Sequence, residues 1–259
     1  MILYGSRALK SLFPDFTREP SDSDWLLSKE EYQNKELQEG VDKDGFKRHE
    51  FARIPVFDKY IDYKTPLTKD ELYTLKVSHI FWNIKWDKHI YDIIFLQKQN
   101  CQLQSDLLTD LHNYWSTYHR TNVRLSFKQS NEDFFKDAVT RVYKHDDLHE
   151  IVKVHEMPMF NYIKEDKNNA EISEKLFNSL SFEDKLLVVQ EEACVLAFER
   201  YIIHNKRMNS RSAYTKALKD LILRLTPLWL GVFIIENYLS LYKPHLNYKE
   251  KINKFYELY

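Results

Sequence analysis

The sequence predicts an α+β protein, with a small mixed sheet in the N-terminal part and an α-helical domain behind it. Three observations carry this expectation. Short apolar stretches with a period of two occupy the first 65 residues. From Thr68 onward the apolar period changes to about 3.6. Glycine is scarce, with 4 in 259 residues, which argues against glycine-rich linkers and repeat-rich β architectures. The expected division is a sheet domain over residues 1–100 and a helical domain over 101–259.

Ile2-Leu3-Tyr4 is a short apolar strand that stops at Gly5-Ser6. Arg7 to Leu12 suits one or two helical turns, and Phe13 to Ser21, with Pro14 and Pro20, suits a loop. Ser23 to Leu27 is a second strand. Glu31 to Gly45 is polar and reads as loop or a poorly packed helix, with Gly40 and Gly45 as loop punctuation. His49 to Phe57 and Lys59 to Lys64 are expected as two further strands, broken near Pro55. Thr68-Lys69-Asp70-Glu71 has the S/T-x-x-E form of a capping box and opens a helix to about Trp82. Helices are then expected over 86–98, 105–119 and 131–143. A further helix capped by Ser181 runs to about Asn205, and others cover 213–225 and 227–241.

Charge is balanced, 38 basic against 39 acidic residues. That excludes nucleic-acid binding by global charge excess and leaves local patches open. Cys101 and Cys194 fit no zinc or redox spacing, which favours a reduced, cytoplasmic setting. The most apolar run, Leu228 to Ile235, is too short to cross a bilayer, so no membrane role is expected. Richness in Lys, Asn, Tyr, Phe and Ile fits an AT-rich genome, such as that of a phage or a low-GC bacterium.

The chemistry concentrates near the N-terminus. A strand ending in Gly5-Ser6 and entering a helix presents bare backbone N–H groups and a hydroxyl, which is a phosphate site by geometry and dipole. Gly5 lets the phosphate approach without a Cβ in the way. Asp22 and Asp24, two apart on a strand, leave the same face. Carboxylates held that close repel unless a cation neutralises them, and Mg²⁺ is the natural partner of oxygen ligands.

Gly5-Ser6-Arg7-Ala8 followed by Ser21-Asp22-Ser23-Asp24 and an apolar run resembles the signature of the polymerase-beta-like nucleotidyltransferase superfamily. The resemblance implies that Gly5, Ser6 and Arg7 hold the phosphates of a nucleoside triphosphate. It also implies that Asp22 and Asp24 bind Mg²⁺, and that a third acid on a neighbouring strand helps activate an acceptor hydroxyl. Asp62, in Tyr60-Ile61-Asp62-Tyr63, is the first choice for that acid, with Asp58 and Glu50 as competitors. Leu75-Lys76 and the stretch from Trp86 to Leu96 look like the helix after the catalytic sheet in abortive-infection-type nucleotidyltransferases. By that analogy Lys76 or Lys88 reaches the triphosphate, and Lys88 can pair with Asp92 one turn on. The chain departs from the compact members in a longer gap between Ser6 and Asp22, filled by Phe13 to Arg18, and in Ser23 and Leu9-Lys10.

The implied reaction moves a nucleoside monophosphate from a triphosphate such as ATP to a hydroxyl of RNA, protein or a small molecule. The rival from another class is a catalytically inactive protein of the same fold, an antitoxin-like or host-interaction factor, or an RNA-binding module. His145 and His149 share a helix face with metal-site spacing but lack a third ligand. Lys206, Arg207, Arg211 and Lys216 form a basic patch, as do Arg120, Arg124 and Lys128.

Overall fold

A computed structural model describes residues 1–33, 40–41, 48–82, 84–118, 173–197, 210–225 and 227–237. The helix expected over 131–143, His145, His149, Lys206, Arg207 and the cations from Arg120 to Lys128 lie outside these residues. The chain divides into two compact units, residues 1–122 and 123–259. Each is taken by itself.

In the first unit, β1 (Ile2–Tyr4) runs into helix α1 (Gly5–Leu12), and β2 (Asp22–Leu26) follows the loop. A short helix α2 (Lys29–Gln33), the two-residue strand β3 (Gly40–Val41) and β4 (Arg48–Ala52) complete the sheet region. The sheet order is β1-β2-β4-β3. β1 pairs antiparallel with β2, β2 parallel with β4, and β3 antiparallel with β4. The sheet is therefore mixed, and the α+β class holds. Gly40 belongs to a strand and pairs opposite His49, which corrects its reading as loop.

The strand expected over 49–57 is present as β4 but ends at Ala52, and the one expected over 59–64 does not form. After β4 the chain forms a 3-10 turn over Pro55–Lys59 and then irregular loop. Pro55 sits at the start of that turn, where its fixed φ is favourable and its missing N–H costs nothing. Helix α3 (Lys69–Ile80) opens on the Thr68 capping box. Glu71 N donates to Thr68 Oγ1 at 3.2 Å, and Thr68 N donates to Glu71 Oε2 at 2.7 Å. Helices α4 (Trp86–Lys98) and α5 (Ser105–Tyr118) follow.

Both α4 and α5 pack on α3, and α5 also touches the 3-10 turn. This is why the first unit extends to residue 122 and not to 100. The buried faces of Leu9, Leu26, Phe57, Leu72, Ile93 and Leu111 form its core. Covering such side chains stabilises the fold by about 1.5–3 kcal/mol each.

The second unit is helical where described. It contains α6 (Glu174–Ser179), α7 (Phe182–Leu196), α8 (Ser210–Asp220), a π-helical turn (Leu221–Leu225) and α9 (Leu228–Glu236). Ser181 caps α7 by accepting from Asp184 N at 3.1 Å. Phe177 is buried against the rings of Trp229 and Phe233. Among the described residues no helix is long and apolar enough to cross a membrane.

Candidate active site

Strand β2 presents Asp22 and Asp24 on one face, with Ser23 buried on the other. The parallel pairing of β2 with β4 sets Asp24 opposite Glu50, and residues opposite each other in a ladder share a face. Asp22, Asp24 and Glu50 each bring an oxygen within 4.8 Å of the others. Three carboxylate oxygens so close are hard ligands suited to a divalent cation.

The cluster's electrostatics point the same way. The Asp24 carboxyl is pushed up to about 6, first by burial and then by the charge of Asp22, with Glu50 adding and Lys76 opposing. A cation among the three would relieve that repulsion. Tyr4, opposite Asp24 on β1, has its phenol pushed up by burial and by the same carboxylates, so it stays protonated beside them.

Gly5 turns β1 into α1 with φ of +71°, a conformation that costs an L-residue about 1–2 kcal/mol. A Cβ there would lie 2.1 Å from Asp24 Oδ2. The glycine thus lets the turn into α1 and the Asp24 carboxylate occupy adjoining space. Arg7 donates from Nε to the backbone oxygen of Asp22 at 3.0 Å and so ties α1 to the strand that carries the carboxylates; it does not line the cleft beside them.

Asp62 does not join the cluster. It is exposed, and its Oδ1 accepts from Lys64 N, Thr65 N and Thr65 Oγ1, an Asx-type turn closing its own loop. These bonds hold its carboxyl below the usual range. Asp58 is likewise engaged elsewhere, with Arg53 and the Tyr63 hydroxyl. Of the three candidates only Glu50 lies beside the pair. Its alternation on β4 could have identified it, but the apolar flanks of Asp62 gave a stronger and misleading signal.

Beyond the carboxylates a cleft of about 250 Å³ opens along α1, α3 and α4. Gly5, Ser6, Arg18, Lys76, Lys85 and Lys88 line its cationic end. Lys76 is buried and its Nζ lies 2.8 Å from Asp92 Oδ2. Burial pushes its ammonium down, opposed by Asp92. The expected Lys88–Asp92 pair is therefore replaced. Asp92 faces inward to Lys76 and Arg18, while Lys88 is exposed at the cleft.

His79 and His89 also line the cleft, with Nδ1 of His79 3.2 Å from Nε2 of His89. Burial, then His79 and the surrounding cations, drives the His89 pKa far down, so that ring is neutral. Arg18 and this imidazole pair were not legible as site residues in the sequence.

The raised Asp24 pKa has a measurable consequence. The folded chain binds this proton more tightly than the unfolded chain. The contribution is therefore complete below the unfolded value near 4 and is lost as pH rises through about 6. His89, with a depressed pKa, acts in the opposite sense, so the comparison must be between proteins. With EDTA present, the parent is expected to lose urea stability relative to Asp24→Asn between pH 4 and pH 7.5. Parallel pH profiles for the two would contradict the assignment.

A protein-family model described as a domain of unknown function, DUF7275, matches residues 71–256. The match begins inside α3, so it includes Lys76, Lys88 and Asp92 and excludes the three carboxylates. No curated protein and no solved structure matches the chain. Because the matched stretch covers more than half of its residues, the chain belongs to the DUF7275 family.

Proposed function

We propose that the first unit is a Mg²⁺-dependent nucleotidyltransferase. The observation that carries this reading is the convergence of Asp22, Asp24 and Glu50 in a cleft that also holds the Gly5-Ser6 turn and several cations. Acids alone would suit many cation sites. Acids beside a phosphate turn suit the transfer of a phosphorus group.

Asp22, Asp24 and Glu50 would hold the Mg²⁺. When bound, the ion would lower the pKa of an acceptor hydroxyl and steady the charge of the leaving group. Gly5 and Ser6 present the backbone N–H groups of the α1 start to the β- and γ-phosphates. Lys88 supplies positive charge from the exposed rim, and Lys76 does so from within, with Asp92 holding its ammonium in place. The acceptor oxygen forms a bond to the α-phosphorus, the bond from that phosphorus to the bridging oxygen breaks, and pyrophosphate leaves. Glu50 takes the place that the resemblance gives to the third acid and accepts the hydroxyl proton.

The acceptor class is open to one direct experiment. The protein is incubated with each α-labelled triphosphate, Mg²⁺ and total cell extract, and label is sought in RNA, protein and small molecules. Transfer is expected for the parent, with a loss of about a hundredfold or more for Glu50→Gln. Asp62→Asn should transfer at the parental rate, because its carboxylate only closes a surface turn. Absence of label from every triphosphate would overturn the reading in favour of a catalytically silent binding protein, and full activity in Glu50→Gln would overturn the role given to Glu50.

A further inference from the structure

The loop between α1 and β2 is where the chain is longer than the compact nucleotidyltransferases it resembles. The loop is anchored firmly. Phe16 is fully buried and meets the rings of Phe95 and Tyr91, with centroids 5.0 and 6.3 Å away. Phe13 meets Phe95 at 5.5 Å. Thr17 Oγ1 lies 2.7 Å from the Tyr91 hydroxyl, and Lys10 Nζ donates to Phe16 O at 2.9 Å. Edge-to-face pairs and local hydrogen bonds of this kind fix a loop in one conformation.

The residue delivered by that anchoring is Arg18. Its Nε donates to Asp92 Oδ1 at 2.9 Å, and its Nη2 donates to Oδ1 and Oδ2 at 2.7 and 2.6 Å. Nη2 also bonds the Ser6 hydroxyl, which itself donates to Asp92 Oδ2 at 3.4 Å. Asp92 is completely buried and also holds Lys76. One carboxylate thus faces two cationic side chains beside Ser6. Nη1 of Arg18, with its two N–H donors, makes no hydrogen bond among the described residues. The Arg18 side chain is 22% exposed and lines the cleft.

We propose that Arg18 is a phosphate-binding residue, positioned by Asp92 and the aromatic anchor of its loop to receive the triphosphate at Ser6. Asp92 fixes the guanidinium plane through one edge and leaves Nη1 for the ligand. A guanidinium oriented in advance loses little freedom on binding an anion, which favours arginine over lysine here. The proposal deepens the nucleotidyltransferase reading and rests on it. The alternative is that Arg18 only neutralises Asp92, a role that would affect folding but not phosphate affinity.

Calorimetric titration with inorganic tripolyphosphate and saturating Mg²⁺ separates these roles. Arg18→Gln is expected to weaken tripolyphosphate binding by about tenfold to a hundredfold, the usual effect of losing charged hydrogen bonds. Arg18→Lys keeps a cation beside Asp92, and so guards against a variant that fails to fold. It is expected to retain the parental circular dichroism and still bind at least about threefold more weakly, because the planar fork is gone. Parental affinity in Arg18→Lys, or no tripolyphosphate binding by the parent, would overturn the proposal. Its failure is distinct from that of the catalytic reading. Arg18 variants that bind tripolyphosphate normally leave the carboxylate chemistry standing. A parent that binds tripolyphosphate through Arg18 yet transfers no label loses only the transfer chemistry.

Discussion

Asp24→Asn is expected to lower nucleotide transfer about a thousandfold while making the metal-free fold at least as stable at neutral pH. The two effects share one cause. Asparagine keeps the shape of the side chain but replaces a charged oxygen with an amide, so the cation loses a ligand and its charge balance. The same change removes a carboxylate whose pKa is pushed up to about 6 by burial and by Asp22. At pH 7.5 the parent must hold that charge against Asp22 and Glu50, and the variant need not. Activity and stability therefore move in opposite directions, as expected where a site stores electrostatic strain. Transfer rates read with the labelled triphosphate, together with urea midpoints in EDTA, check both halves. A variant that is inactive and also strongly destabilised would instead indicate that Asp24 holds the fold together.

Asp92→Ala carries the largest expected stability effect, a loss of about 3–5 kcal/mol. The carboxylate is fully buried, Lys76 beside it is 4% exposed, and both lie beneath the Arg18 guanidinium. Removing the anion leaves the Lys76 ammonium buried without its counter-charge. Replacing the pair together, as Asp92→Leu with Lys76→Met, should recover part of the loss, since the buried ammonium goes with its partner while the Arg18 guanidinium still lacks its carboxylate. A double-mutant cycle in urea reads the coupling directly. A cost below about 1 kcal/mol for Asp92→Ala would mean that water reaches Lys76 in the variant. Both Asp92 and Lys76 fall within the stretch matched by the family model.

Much of the fold was legible where local rules act alone. The Thr68 box predicted the start of α3, and the 3.6 period predicted α4 with the bounds observed, Trp86–Lys98. Capping and periodicity depend on residues within one or two turns, so a single sequence carries them. Period-two alternation placed Asp22 and Asp24 on one face of a strand. The positive φ of Gly5 agrees with the choice of glycine at the end of β1. Local rules failed between residues 53 and 64. There an acid between apolar residues was read as a strand, while the chain instead closes a turn on Asp62.

The sequence by itself determined the α+β class, the strand–Gly-Ser–helix turn and the two acids that leave β2 together. Tertiary structure decided which third acid stands beside them, because the parallel register of β2 on β4 aligns Asp24 with Glu50 across 25 residues of intervening chain. It also decided that Asp92 turns inward to Arg18 and Lys76, when helical spacing had suggested Lys88. The reason is one of range. Side-chain periodicity and caps are set by neighbours in the chain, whereas strand register and buried charge pairing are set by what the fold brings from elsewhere to exclude water and balance charge.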